Sequence, residues 1–232
     1  MTIFFKFTGY LNVMYSSLKW FIIITLICIV TWGFNWLSHS KPILSKNASN
    51  FVSITSLKPY TLTSKIKSAK SYAKTRNLDT GLALLIDYKI HSGKKRAFLV
   101  DLSLNKPIDS FLVSHGCGLN PWGGDYSKEK PTFSNEPESH CSSLGHFKIG
   151  IKGKSSWGIF IKYFLHGLDT SNNNALKRQI VLHGWSEVSD SEIYPEGTPE
   201  GWGCPAFSNA AMTLLDSAIQ TRSKPILLWS FN

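Results

Sequence analysis

The sequence predicts a mostly β domain with one or two short helices, preceded by an N-terminal transmembrane or signal helix. Three observations support this fold class. From Gly81 onward, short runs rich in β-branched and aromatic residues are separated by turn residues, which is typical of strands. Beyond residue 40, helical spacing of apolar residues occurs in only two segments. Residues 20–37 form a charge-free apolar run, close to the ~20 residues that cross a bilayer as a helix.

The apolar run follows Lys6 and Lys19, which form the basic flank expected of an export signal. The run is longer than the ~7–15 residues of a cleavable signal core, and residues 38–40 make a poor cleavage site. We therefore expect residues 1–40 to be an uncleaved signal anchor. Cleavage near residue 40, or burial of the run in a soluble protein, are the alternatives.

Positive charge is concentrated in the N-terminal third of the chain. Residues 1–78 hold ten Lys or Arg and no acidic residue, whereas residues 79–232 hold fifteen of each sign. Residues 41–78 are expected to form a basic linker and a short helix, with helical spacing across residues 64–76. Such a stem suits anionic lipid or an acidic envelope polymer, or is simply solvated. Nucleic acid is not expected as the partner of an exported protein.

Residues 79–232 are the predicted globular domain. One helix is expected at residues 208–221, because Ser208 can cap it and Met212, Leu215 and Ile219 repeat at helical spacing. Seven strands are expected at residues 82–88, 96–102, 110–116, 145–151, 158–168, 179–185 and 225–231.

Four cysteines are too few for a disulfide scaffold in a chain of this length, and Cys28 lies inside the apolar run. The other three are Cys117, Cys141 and Cys204. In an exported domain, three cysteines can form one disulfide and leave one free thiol. The remaining thiol is a candidate for a reactive group.

The strongest local signal is His183 at the end of a predicted strand, together with Cys204 on a glycine-flanked turn before the predicted helix. A thiol at a helix N-terminus is shifted toward thiolate, and a nearby imidazole can exchange protons with it. The backbone amides of Gly203 and Cys204 are candidates for holding a developing oxyanion. On residue types alone, a packed cysteine and a structural histidine remain the alternative.

Six pieces of the sequence resemble a known family in the family's own order. They are the strand pair at 85–102, VSHG at 113–116, FSNE at 133–136, SSLGHF at 142–147, IVLHGW at 180–185 and WGCPA at 202–206. Over about residues 62–231 the chain resembles the murein branch of the L,D-transpeptidase catalytic (YkuD-like) superfamily. The resemblance implies an L,D-transpeptidase-like β-sandwich, a nucleophile at Cys204 and an active-site histidine at His183.

The sequence departs from the superfamily pattern at two positions. Most members have a histidine where Trp202 stands and an arginine where Ala206 stands, so recognition of a substrate carboxylate by that arginine is unsupported. Residues 114–117 also spell the superfamily signature, but at another place in the chain and with no predicted helix behind it. Cys117 is therefore the alternative nucleophile.

The remaining site residues are expected to line the cleft or to pack beside it. His115 matches a histidine position of the family branch and is expected to bind substrate or to stabilise a turn. Trp185 and Trp202 flank the two motifs and are expected to form cleft walls. Cys117 is expected to form a disulfide with Cys141 or simply to pack, and a bridge requires Cα atoms within ~7 Å.

No metal and no cofactor is expected. A zinc site is the weaker alternative for the histidine and cysteine residues at 115, 117, 140 and 141, whose spacing matches no common zinc pattern. The acidic stretch at residues 187–200 is expected to be mostly a solvated loop that attracts an amine.

The expected activity is a cysteine acyl transfer on peptidoglycan stem tetrapeptides in the cell envelope, with the enzyme anchored in the inner membrane or secreted to the periplasm. Transfer to water in place of an amine would make the same site an L,D-carboxypeptidase. A non-catalytic wall-binding module that keeps the fold is the alternative from another class, motivated by Trp202 and Ala206.

Overall fold

The structure is a computed structural model and describes residues 59–232. This part of the chain contains helices α1 (Pro59–Thr75) and α2 (Asn209–Gln220). Its strands are β1 (Leu82–Asp87), β2 (Ala97–Asp101), β3 (Lys106–Phe111), β4 (Gly145–Lys154), β5 (Ile161–Gly167), β6 (Val181–Gly184), β7 (Ala206–Phe207) and β8 (Leu227–Phe231). The predicted helix at residues 20–37 lies outside the described residues. Within residues 59–232, no helix combines the length and apolarity that a membrane span requires.

The strands form one eight-stranded sheet in the order β3-β2-β1-β8-β4-β5-β6-β7. Neighbouring strands are antiparallel except for the β1–β8 and β6–β7 pairs, which are parallel. The mostly β prediction is confirmed. The arrangement is a single curled sheet, whereas a sandwich was expected from the resemblance.

The two outer strands of the sheet meet through the segment that follows β3. Ser114 N donates a hydrogen bond to Ala206 O of β7 at 2.9 Å. Gly201 N donates to His115 O at 2.8 Å, and Cys117 N donates to Gly201 O at 2.7 Å. The strand predicted at residues 110–116 therefore ends early, at Phe111, and its continuation nearly closes the sheet.

Position in the sheet explains the sequence of each strand. Every residue of β1 is buried, because the strand lies between β2 and β8, and it therefore reads as an uninterrupted apolar run. The outer strand β3 instead mixes exposed, half-buried and buried residues. This strand also accommodates Pro107, which cannot donate to a neighbouring strand.

Helix α1 packs on the sheet. Its buried face includes Leu62, Ile66, Ala69 and Ala73. The Tyr72 ring stacks on His146 of β4 at 3.8 Å between ring centroids, and Lys65 Nζ lies 4.4 Å from the Trp229 ring of β8. The compact unit runs from Leu57 to Asn232. Helix α1 thus belongs to the same unit as the sheet.

Helix α2 begins where the sequence predicts. Ser208 is its N-cap, and its Oγ accepts a hydrogen bond from Ala211 N at 3.1 Å while donating to the Asp190 carboxylate. The helix buries Ala211, Met212 and Leu215 against the core. Ser208 thus fixes the start of the helix and binds the loop between β6 and β7.

Replacing Ser208 by Ala is expected to lower the free energy of unfolding by about 1 kcal/mol, because an unfilled N-cap leaves a helix amide unpaired. Ser217→Ala is the matched control, since its Oγ only donates to Thr213 O on an exposed face of the same helix. Urea unfolding of both purified variants measures the difference. Equal stabilities of the two variants would contradict the role of Ser208 as a cap.

Candidate active site

Cys204 and His183 line one cavity of about 390 Å³. Trp122, Trp157 and Trp202 each leave about half or more of their surface exposed, whereas Trp185 is buried. The sequence singled out Trp185 and Trp202 as walls of this cleft but missed Trp157. The cavity is lined by Ser114, Trp122, Trp157, His183, Trp185, Gly201, Trp202, Cys204 and Ala206.

The sheet places the histidine on β6 and the cysteine just before the neighbouring strand β7. His183 lies on β6 and is the register partner of Ala206 on β7. Cys204 stands just before β7, and Ser114 Oγ donates to its carbonyl oxygen at 3.4 Å. Ala206 N donates in turn to Ser114 Oγ at 3.2 Å. Ser114 therefore fixes the backbone on both sides of Pro205.

The tautomer of His183 follows from its backbone contact. His183 Nδ1 lies 2.8 Å from Gly184 O. Because a carbonyl oxygen only accepts, Nδ1 carries the proton and Nε2 is left as an acceptor. Burial lowers the pKa of His183, and the charge of Lys162 lowers it further, against the opposing effect of the Gly184 hydrogen bond. The imidazole is therefore neutral at pH 7.

The Cys204 thiol is also uncharged at rest. Burial raises the pKa of Cys204. A hydrogen bond from Val181 N to Sγ at 3.3 Å opposes this shift, as do the charges of Arg178 and Lys162. The helix N-terminus expected to stabilise a thiolate is absent at this position, because β7 separates Cys204 from helix α2, which begins at Asn209.

The turn before Cys204 requires glycine. Gly203 has φ +99°, and a Cβ atom there would lie 2.4 Å from Cys141 O. Its carbonyl accepts a hydrogen bond from Ser142 Oγ at 3.1 Å. Within residues 59–232, the amides of Gly203 and Cys204 donate to no hydrogen-bond partner. Of these two residues, Cys204 lines the cavity.

Arg178, which the sequence analysis did not single out, orders the segment beside this turn. Its guanidinium donates to Ser134 O at 2.8 Å, to Ser143 Oγ at 2.7 Å and to Cys141 O at 2.6 Å. Because both terminal nitrogens of the guanidinium already donate to protein groups, Arg178 influences the pKa of Cys204 through its charge alone.

The expectation that His115 lines the cleft is corrected by the structure, where its side chain is fully buried. Arg96 Nη2 lies 2.8 Å from His115 Nδ1, and because arginine only donates, Nδ1 is the acceptor. Nε2 then donates to Ser127 Oγ at 2.9 Å, and Ser127 Oγ donates to Glu200 Oε1 at 2.9 Å. A directed chain of hydrogen bonds therefore joins a buried cation to a buried carboxylate.

Burial and the nearby Arg96 charge keep His115 neutral within this series of hydrogen bonds. Burial lowers the pKa of His115 to about 3, with a further contribution from the Arg96 charge. Burial also lowers the pKa of Arg96 to about 10, which leaves it protonated at neutral pH. Glu200 belongs to the acidic stretch expected to be mostly solvated, but it is fully buried. The reason is its place at the end of this chain.

Cys117 and Cys141 are buried free thiols in this structure and form no disulfide. Cys117 Sγ donates to Gly118 O at 3.7 Å, and Cys141 Sγ donates to Ser139 O at 3.3 Å. Burial raises the pKa of Cys117. The alternative nucleophile Cys117 does not line the cavity that contains His183.

Fold and cavity together define a class of mostly β proteins, in which one nearly closed sheet presents a thiol and an imidazole to an aromatic cavity. The chain belongs to the L,D-transpeptidase catalytic domain family, whose family model matches residues 54–228. The family resemblance read from the sequence is confirmed. No curated protein sequence matches the chain significantly.

Solved structures of low sequence identity are similar to the chain. An L,D-transpeptidase from Xylanimonas cellulosilytica is 13% identical with a TM-score of 0.39, and the match covers 69% of this chain and 68% of that one. Bd1075 of Bdellovibrio bacteriovorus is 13% identical with a TM-score of 0.41 (68% and 50% covered). The helical cell shape determining protein Pgp2 from Campylobacter jejuni is 10% identical with a TM-score of 0.41 (69% and 54% covered). The match thus spans about half the length of the last two chains.

The buried histidine predicts a pH dependence of stability. Because the pKa of His115 is lower in the folded chain than its ordinary 6.5, the unfolded chain binds the proton first. The stabilising contribution of neutral His115 is complete above pH 6.5 and is lost as pH falls toward 3. In His115→Gln, the slope of unfolding free energy against pH between 6 and 4 should be smaller by up to about 1.4 kcal/mol per pH unit.

The matched control is His166→Gln, because the pKa of His166 is also lowered but its side chain is only partly buried. This variant should change the slope less than His115→Gln does. Urea unfolding at a series of pH values measures both slopes. An unchanged slope in His115→Gln would contradict a neutral, buried His115.

Proposed function

We propose that the protein is a peptidoglycan L,D-transpeptidase that acts on stem tetrapeptides through an acyl-enzyme on Cys204. The observation that carries the proposal is the shared cavity, which is lined by Cys204 and by the His183 imidazole with its free Nε2 acceptor. No cofactor is required for this chemistry. We also propose that the enzyme works in the cell envelope, anchored to the inner membrane through residues 20–37 or secreted to the periplasm.

In the first step, His183 Nε2 takes the proton of the Cys204 thiol as sulfur attacks the carbonyl that precedes the terminal D-Ala. The carbon–sulfur bond forms, and charge develops on the carbonyl oxygen. The carbon–nitrogen bond then breaks, and the imidazolium returns the proton to the departing D-Ala amine. A thioester and free D-Ala are the products. Both reacting groups are neutral before the step and neutral after it.

The oxyanion of this step is assigned to the amides of Gly203 and Cys204. Both N–H groups lack a partner within the described residues, and the turn that carries them is fixed by Ser114 and Ser142. Fixed donors aimed at developing charge lower the barrier without reorganisation. This assignment is supported by the fixed conformation of the turn, in which Gly203 adopts a positive φ.

In the second step, a side-chain amine of a neighbouring stem attacks the thioester and releases the thiol. Water in place of the amine would give an L,D-carboxypeptidase with the same first step. Trp185 and Trp202 are proposed to hold the donor as walls of the cavity. The Trp202 ring stacks on His140 at 5.0 Å between centroids, which keeps this largely exposed indole in place.

Replacing Cys204 by Ala is expected to abolish release of D-Ala from a tetrapeptide-containing muropeptide, because no other thiol of residues 59–232 lines the cavity. Cys117→Ala is the matched control and should keep activity within about threefold, with some loss of stability from the buried site. Chromatographic assay of free D-Ala measures both. D-Ala release by a folded Cys204→Ala protein would refute the assignment and would favour a wall-binding module.

The resting charge state makes a separate prediction. Because burial raises the pKa of Cys204 above the ordinary 9.0, alkylation of Cys204 by iodoacetamide should increase with pH through a midpoint above 9. Peptide mapping separates Cys204 from the other cysteines at each pH. A midpoint near neutral pH would instead indicate a resting thiolate–imidazolium pair.

A further inference from the structure

A second cavity, of about 440 Å³, adjoins the first cavity, which holds Cys204. The two cavities share Trp122 and Trp185 as walls. Residues 122–125 form one side of the second cavity, and the segment around Gly197 forms the other. Its volume falls in the range of ~300–1,000 Å³ that is usual for ligand sites. The two chemical steps proposed above do not use this space.

Trp122 offers an indole face at the boundary of the two cavities. Its ring stacks on the buried Trp185 at 5.4 Å between centroids, with 19° between the ring planes, so one face is covered. Half of Trp122 is nevertheless exposed, which leaves the opposite face open. An exposed aromatic face that borders a cavity with polar walls is typical of a ligand-binding groove.

The loop that carries this indole is held in place from behind. Gly123 N donates to Glu200 O at 2.9 Å, and Glu200 N donates to Gly124 O at 2.7 Å. Asp125 Oδ2 accepts a hydrogen bond from Gly197 N, on the other side of the cavity, at 2.8 Å. The cavity is therefore formed before a ligand arrives, and little affinity is lost in ordering it.

The polar walls of the second cavity favour an uncharged ligand. Carboxylates of Asp125, Glu187 and Glu196 line it, and within residues 59–232 no Lys or Arg does, which disfavours an anion. Lys128 Nζ lies 3.2 Å from Asp125 Oδ2 and 3.9 Å from Glu196 Oε2. Because two of the three carboxylates are already balanced, a cation gains little there. Their oxygens still accept hydrogen bonds from hydroxyl and amide N–H groups.

We propose that the second cavity binds a sugar ring of the glycan strand, with Trp122 stacked on the C–H face of the ring. An amino sugar combines such an apolar face with a rim of hydroxyl and amide N–H donors, which suits an indole bordered by carboxylates. This inference rests on the proposed function and extends the recognised substrate from the stem peptide to its glycan.

The shared walls suit a donor that is still attached to its sugar. A stem peptide is joined at its N-terminal end to an amino sugar of the strand. The residues between that sugar and the bond attacked by Cys204 span about 10 Å when extended. Sugar and reacting bond therefore need separate but adjoining spaces, as the two cavities provide on either side of Trp122.

The test compares a muropeptide, in which the tetrapeptide carries its disaccharide, with the same tetrapeptide free of sugar. Wild type should prefer the muropeptide, and Trp122→Ala should lower this preference in kcat/KM for D-Ala release about tenfold. Any effect of Trp122 as a wall of the first cavity acts on both donors and cancels in the ratio. Trp122→Phe should keep most of the preference, because it keeps an aromatic face.

Phe160→Ala is the matched control, because Phe160 is an exposed aromatic residue that lines neither cavity. This variant should show the same preference between the two donors as wild type.

Binding of the sugar alone separates failure of this inference from failure of the proposed function. The probe is a neutral N-acetylglucosamine disaccharide, titrated into the full chain and followed by NMR. Trp122→Ala should raise its Kd about tenfold, and Phe160→Ala should leave it unchanged. If wild type releases D-Ala from neither donor but this difference in Kd persists, the proposed function fails and the sugar site stands.

Two results would overturn the sugar site. One is an equal loss with both donors in Trp122→Ala, which would make Trp122 a wall of the first cavity only. The other is a Kd for the disaccharide that Trp122→Ala leaves unchanged. If, in addition, Glu187→Gln shifted the products from cross-linking to hydrolysis, the second cavity would belong to the amine acceptor instead.

Discussion

The buried chain of hydrogen bonds from Arg96 through His115 and Ser127 to Glu200 is the constraint on which the site depends. Glu200 directly precedes the turn that carries Cys204, and the backbone of Gly201 bonds to the backbone of His115. Oriented donors link the buried Glu200 side chain to the buried Arg96 guanidinium through this network. This network of hydrogen bonds thereby ties the segment after β3 to the turn that carries Cys204 and helps to close the sheet.

Closure of the sheet has a chemical consequence at the cavity. Burial moves the pKa of Cys204 up and the pKa of His183 down, so the pair rests in its neutral form. In the proposed mechanism, proton transfer accompanies attack, and no charged pair has to be desolvated beforehand. Fixed cations at Arg178 and Lys162 favour the thiolate as it forms.

Much of the fold follows from the sequence because its signals are local. The buried apolar run of β1 and the cap of α2 at Ser208 depend on nearby residues alone, and both were predicted. The segment after Phe111 was misjudged because its partners, Gly201 and Ala206, are distant in sequence. The helix itself was predicted from its spacing, but the packing of helix α1 against β8 was not, because that contact is also long-range.

The site residues likewise divide into those that a sequence motif predicts and those that depend on tertiary contacts. The family motifs predicted that His183, Cys204, Trp185 and Trp202 belong together, and the structure brings all four to one cavity. His115 lies in a motif as conspicuous as that of His183, yet its partner Arg96 is fixed only by tertiary structure, so its burial was not predictable. Trp157 carries no such signal, since its contacts with Trp122 and Trp185 are set by tertiary structure alone.

The most direct test is intact-mass spectrometry of the protein incubated with a tetrapeptide-containing muropeptide, followed by peptide mapping of any adduct. An acyl adduct located on Cys204, with an equal amount of free D-Ala, is the result that a cysteine acyl-enzyme predicts. An unmodified Cys204, or an adduct on Cys117, would contradict it.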